Sequence, residues 1–265
     1  MSKIAIALNR FGLGGLGGQS LPGNPQAWLQ DQFSRFDPRP APIAALPGSH
    51  ELVTMLREAR DDKRERKDEA KAAGTDPKAK GDGVPGPFRD LRDAYVAAVG
   101  ARTDVALASD TPFIERLVHF WSNHFAVSVD KITVVGLAGA FEFEAIRPHV
   151  LGNFADLLGA VERHPAMLLY LDQAESIGPD SPLAQRAARG GRTRGLNENL
   201  AREILELHTL GVRTGYSQAD VTELARALTG WTVGGLARQP VLRGPGPGFW
   251  FAAPIHQPGS RNIMG

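Results

Sequence analysis

The sequence predicts an all-α fold, a multi-helical bundle or array with long loops and little or no sheet. Apolar residues recur at three- and four-residue spacing in one segment after another, the signature of helices with one buried face. Capping residues and prolines stand at the heads of those segments. No convincing alternation of apolar and polar residues precedes about Trp231, and no internal repeat is evident.

At 265 residues the chain is long enough to bury a real core, and we read 1–265 as a single helical domain. Its net charge of +1 gives no electrostatic case for nucleic acid or an acidic membrane surface. No stretch approaches the roughly 18 apolar residues of a transmembrane helix. The absence of cysteine excludes disulfides, thiol catalysis and thiolate metal sites.

The first helix is expected at Met1–Arg10, where Asn9 and Arg10 interrupt an apolar run too short for a secretory leader. Without a signal peptide, the cytoplasm is the default expectation. A glycine run follows, and Gly12, Gly14 and Gly17 match a loose G-x-G-x-x-G pattern. Dinucleotide binding needs a strand before that pattern and an acid about 20 residues after it. Here a helix-like run precedes it and a proline-rich loop follows, so that reading is set aside.

A helix over Pro25–Phe36 carries Trp28, Leu29 and Phe33 on one face, and a proline-rich loop leads to a further helix near Glu51–Leu56. From Arg57 to Lys71 nearly every residue is charged, with favourable pairs such as Asp62–Arg66 beside repulsive ones such as Asp61–Glu65 and Lys63–Lys67. Residues 57–87 therefore read as a charged, Gly/Pro-containing mobile linker within the domain, a solvated helix that frays.

Beyond Phe88 the signals strengthen. Thr111-Pro112 opens a helix through about Phe125, and Asn153-Phe-Ala-Asp156 resembles a capping box for Leu157–His164. His164-Pro165 forces a break, and Ser217-Gln-Ala-Asp220 caps a helix ending at Gly230. The stretch from Glu175 to Gly195 reads as a long loop.

Candidate chemistry lies where polar residues intrude on apolar faces. On an ideal wheel for Leu196–Leu210, Leu196, Leu200, Ile204 and Leu207 centre the apolar face. Glu203, Asn197 and His208 fall within or beside that arc, while Glu198, Arg202 and Glu206 form a ladder opposite. His124 projects into the face defined by Phe113, Leu117, Phe120 and Trp121. A buried carboxylate or imidazole must be paired, neutral or bound to a ligand. Each of the four is thus either a satisfied packing group or an acid/base or ligand group. Glu144 and Arg147 are expected to pair at i,i+3.

No metal-ligand pair occurs at H-E-x-x-H, H-x-x-x-H or Glu-x-x-His spacing, and no G-x-S-x-G or P-loop is present. Any metal or cofactor is thus left unspecified. Arg192 and Arg194, with Arg186, Arg189 and nearby glycines, could hold a phosphate or carboxylate ahead of a helix, although a solvated loop is the preferred reading.

The segments Phe120–Ser128, Glu144–His149, Arg163–Asp172, Gly195–Gly211 and Ala225–Trp231, in that order, together resemble the DUF1800 family, a bacterial domain of unknown function; Ala7–Gly12 fits its start. The resemblance covers most of the chain except the charged stretch. It implies a helix-rich fold and supplies no activity, cofactor or site residue. Because members usually run longer, it also implies that this chain is the N-terminal part of a larger protein.

Two functions remain from the sequence. One is a binding or assembly module that engages a protein partner through an exposed aromatic patch near Trp231 and Phe249-Trp250-Phe251. The other is an enzyme with an inter-helix site built from Glu203, His208, Asn197 and His124, metal-assisted or acid/base.

Overall fold

Helix α1 (Lys3–Phe11) starts where Ser2 Oγ accepts the Ala5 N–H, and α2 (Pro25–Arg35) where Asn24 Oδ1 accepts those of Gln26 and Ala27. Each acceptor satisfies amides that a first helical turn leaves unpaired. The computed structural model describes residues 2–14, 23–74, 86–190, 195–237 and 240–265. Helices dominate these residues, and the sheet among them is one two-stranded antiparallel ribbon, so the chain is all-α as its pattern predicts.

After the short α3 (Ala41–Ala44), α4 runs over Ser49–Ala72 and packs along α5 (Gly86–Ala108). The first half of α4 buries Leu52, Val53, Leu56 and Ala59. The charged stretch continues the same helix to Ala72, largely exposed, while residues 75–85 lie outside the described residues.

The main core gathers Leu52 and Leu56 of α4, Leu91 of α5 and Phe125 at the end of α6 (Pro112–His124). Further contributions come from Leu137 of α7 (Leu137–Phe141), Val161 of α8 (Phe154–Arg163) and Met167 of α9 (Pro165–Tyr170). Leu200 of α11 (Asn199–Glu203) and Val221 of α12 (Gln218–Leu228) complete it. The strands β1 (Trp231–Gly234) and β2 (Gly248–Phe251) pair Trp231 with Phe251 and Val233 with Phe249. Gly230 enters this ribbon at φ +96°, and a Cβ there would stand 2.6 Å from the Phe251 ring, so only glycine fits.

Two helices widen into π-turns: Glu142–Ile146 follows α7, and Ile204–Thr209 follows α11. Such turns are rare and frequent at functional sites. The second overturns the ideal wheel. Leu200, Ala201, Leu205 and His208 are buried, whereas Leu207, expected at the centre of the apolar face, is 53% exposed. Each residue of a wider turn rotates the face by less than 100°, so the apolar stripe slips to neighbouring positions after Ile204.

Several local expectations change. The Thr111 side chain bonds Ser109, and the Phe113 N–H at the head of α6 is instead accepted by the buried Gln32 of α2. The Asn153 box does not form, since its amide turns to Asp156 Oδ2 at 3.4 Å and caps no backbone N–H. The Ser217–Asp220 box does form, and His164 Nδ1 caps α9 by accepting the Ala166 N–H. The stretch read as one long loop holds α10 (Pro182–Arg189), capped by Ser181.

The Glu144–Arg147 pair is also replaced. Arg147 is buried and grips Glu115 of α6 through two hydrogen bonds of 2.6 and 2.9 Å, and it donates to the Pro38 carbonyl as well. Glu144 accepts the Ser49 N–H at 2.7 Å and lies 3.5 Å from His164 Nε2. A π-turn running into a 3₁₀-turn at Arg147–His149 removes the α-helical i,i+3 alignment that the pairing assumed.

Candidate functional site

His208 sits on the π-turn after α11, and its Nδ1 shares a 2.6 Å hydrogen bond with Glu162 Oε1 of α8, with both side chains buried. Burial raises the Glu162 pKa above the ordinary carboxylate value; His208 opposes that rise and the charge of Glu203 adds to it. Glu162 Oε2 is sealed and has no hydrogen-bond partner among the described residues. Sequence reasoning missed Glu162 because it closes an otherwise ordinary amphipathic helix.

His124 ends α6 beside this pair. Its Nε2 stands 3.3 Å from the His208 carbonyl oxygen, and the two rings are 6.2 Å apart. Phe125 meets the His208 ring edge-on at 5.1 Å, and Trp121 packs on both His124 and Phe125. Two of the four sequence candidates therefore meet, His124 and His208, while the half-buried Glu203 adds its charge to the field on Glu162. The principal cavities of the described residues are lined by other side chains. Among the described residues, no three His, Asp or Glu side chains are grouped as a metal ion requires.

Asn197 lies apart from this group, in the segment that leads into α11. Its Nδ2 donates to the carbonyls of Leu171 at 3.0 Å and Asp172 at 3.1 Å, and its Oδ1 accepts the Asn199 N–H. Arg192 and Arg194 lie outside the described residues. The Glu198–Arg202–Glu206 ladder forms as expected and reaches α12 through Gln218 and Thr222.

Asn197 thereby fixes the wall of a cavity of about 260 Å³, lined by Arg60, Lys131, Thr133, Asp172 and Glu175 together with apolar side chains. Lys131 Nζ donates to Asp172 Oδ1 at 2.5 Å and to the Tyr170 carbonyl at 3.0 Å. Asp172 follows α9 in the left-handed region, at φ 56°. That is the position where helices usually place glycine, so the carboxylate is held there at a conformational cost. Thr232 of β1 donates to the Ala174 carbonyl at 3.3 Å, while Thr133 Oγ1 is sealed with no partner among the described residues. No spacing rule links Lys131 to Asp172, 41 residues away; the one local sign was an aspartate just past a helix end.

A second cavity, of about 210 Å³, lies where α5, α6 and α7 meet. Its charged edge is already paired, with Arg102 and Ser122 both donating to Glu142 Oε2 at 2.7 Å. On the ribbon, Trp231 packs edge-on to Phe249 at 5.4 Å, and Phe249 and Phe251 are 40% and 44% exposed. No helix among the described residues is long and apolar enough to cross a membrane.

Comparison with curated proteins finds no match, and comparison with solved structures finds none. A family model described as a protein of unknown function (DUF1800) matches residues 6–265. The resemblance carried by the short motifs thus extends over nearly the whole chain, and the chain belongs to the DUF1800 family.

Proposed function

We propose that the chain is a ligand-binding module, and that the cavity between α4, the end of α9 and β1 receives a small polar molecule. The observation that carries this reading is the convergence of Arg60, Lys131, Asp172 and Glu175, from separate parts of the chain, on one cavity of about 260 Å³. Concave sites with apolar walls and a few convergent polar groups are where small ligands bind. The left-handed Asp172 adds support, because a strained backbone that keeps a charged side chain in place is common at binding sites.

The test is an amide-shift titration with acetate, methylamine and glycine as probes. Saturable shifts should centre on Thr133, Ala174 and Thr232, and Ala174→Phe, which fills the cavity, should abolish them. Shifts that survive Ala174→Phe, or none at these residues, would refute the reading.

A second reading, acid–base catalysis at Glu162–His208, is favoured by their 2.6 Å contact, which orients the imidazole as a carboxylate orients a general base. His208 Nε2 has no hydrogen-bond partner among the described residues. On this reading the protein hydrolyses p-nitrophenyl acetate faster than equimolar imidazole, and His208→Gln removes the excess. Equal rates for the two proteins would dismiss it.

A further inference from the structure

The contact between Glu162 and His208 admits two proton arrangements. An ionised carboxylate only accepts, so the imidazole must donate from Nδ1 and leave Nε2 as an acceptor. A protonated carboxyl donates instead, so Nδ1 must accept and the neutral ring carries its proton on Nε2. The 2.6 Å bond is kept in both, with donor and acceptor exchanged.

The groups around the pair favour a proton on Glu162. Both side chains are buried, and Glu162 Oε2 is sealed with no donor among the described residues. A carboxylate there is left with one oxygen unserved, whereas a proton on Oε1 has His208 Nδ1 to bond. Glu203 of α11 adds its negative charge to the effect of burial on Glu162, and His208 opposes both. From α6, His124 addresses the His208 carbonyl, and its Nε2 is 3.3 Å from that oxygen. The His208 Nε2 has no hydrogen-bond partner among the described residues. An ion pair between carboxylate and imidazolium would carry two charges away from water without the further hydrogen bonds that make such pairs favourable.

We propose that the pair is a proton-coupled tautomer switch: as Glu162 takes up a proton, the shared bond reverses and Nε2 of His208 turns from acceptor to donor. Oε2 is sealed and Oε1 faces the ring, so the proton reaches the carboxyl through the imidazole. Nε2 takes a proton from solvent, and the Nδ1 proton crosses to Oε1. One N–H bond forms, the other breaks as the O–H bond forms, and the ring ends neutral. A group placed at Nε2 then meets a base while Glu162 is ionised and an acid once it is protonated. This goes beyond the acid–base reading, because it concerns the pair at rest and holds whether or not a substrate is turned over.

The experiment is an NMR titration that follows both ring nitrogens of His208 and the side-chain carboxyl carbon of Glu162, with the His208 signals assigned by their loss in His208→Gln. As pH falls through the carboxyl midpoint, Nε2 should become protonated and Nδ1 unprotonated, both at that midpoint. A ring protonated on both nitrogens there, or a tautomer that does not change, would overturn the proposal. Glu162→Gln removes the titrating proton and should hold His208 in one tautomer through the same range; an exchange that persists would place the proton elsewhere and also overturn it. The wild type alone reports both nitrogens, so it decides the matter even where the variant does not fold.

Discussion

Glu144, whose side chain is still 39% exposed, and the buried Glu162 end with opposite proton affinities. At Glu144 burial disfavours the charge, but the neighbouring His164 and the Ser49 side chain and N–H outweigh it and hold the pKa at about 2. A depressed carboxylate adds stability above its ordinary value of 4.5 and loses it as pH falls toward about 2. Urea midpoints measured across that window should fall for the wild type and vary less for Glu144→Gln; parallel curves would show that these contacts do not hold the charge. At Glu162 burial wins, so its contribution has the other sign, present below the ordinary carboxylate value and lost as pH rises through the raised one. His208 and His124 were legible because imidazoles on apolar faces are conspicuous. Glu162 and Lys131 were not, since nothing local distinguishes a glutamate at a helix end or a lysine in a loop until the fold supplies its partner.

At the level of elements, most helices were legible from their ends. Pro25, Pro112 and Pro165 each stand at the first helical position, and Ser217–Asp220 forms its box. Where a cap came from a distant residue, as Gln32 does for α6, the sequence suggested the local Thr111 instead. The π-turns were illegible because an ideal wheel assumes one pitch throughout. They also have a measurable consequence. Leu205 is 5% exposed and Leu207 53% exposed, so Leu205→Ala should cost about 2–5 kcal/mol and Leu207→Ala less than about 1. A regular α-helix centred on Ile204 and Leu207 gives the reverse order, and denaturant unfolding of the two variants distinguishes them.

For the molecule as a whole, capping and apolar periodicity were enough to identify an all-α fold, and ordered motifs were enough to identify the family. Neither located the cavity. It is assembled from a charged stretch of α4, an irregular segment after α6, the end of α9 and the first strand, parts that share no periodicity and meet only through tertiary packing. Asn197 connects the two views: it was singled out as a polar intruder on a helix, and it serves as a brace for the cavity wall. The exposed Phe249 and Phe251 leave the ribbon with an aromatic face.

The central claim, that this cavity is a ligand site, is tested most directly by electron density from crystals soaked in acetate, methylamine and glycine. The account predicts a bound probe between Lys131 and Asp172 in the wild type and none there in Ala174→Phe. Ordered water alone in the wild-type cavity, or a probe bound elsewhere and unaffected by Ala174→Phe, would contradict it.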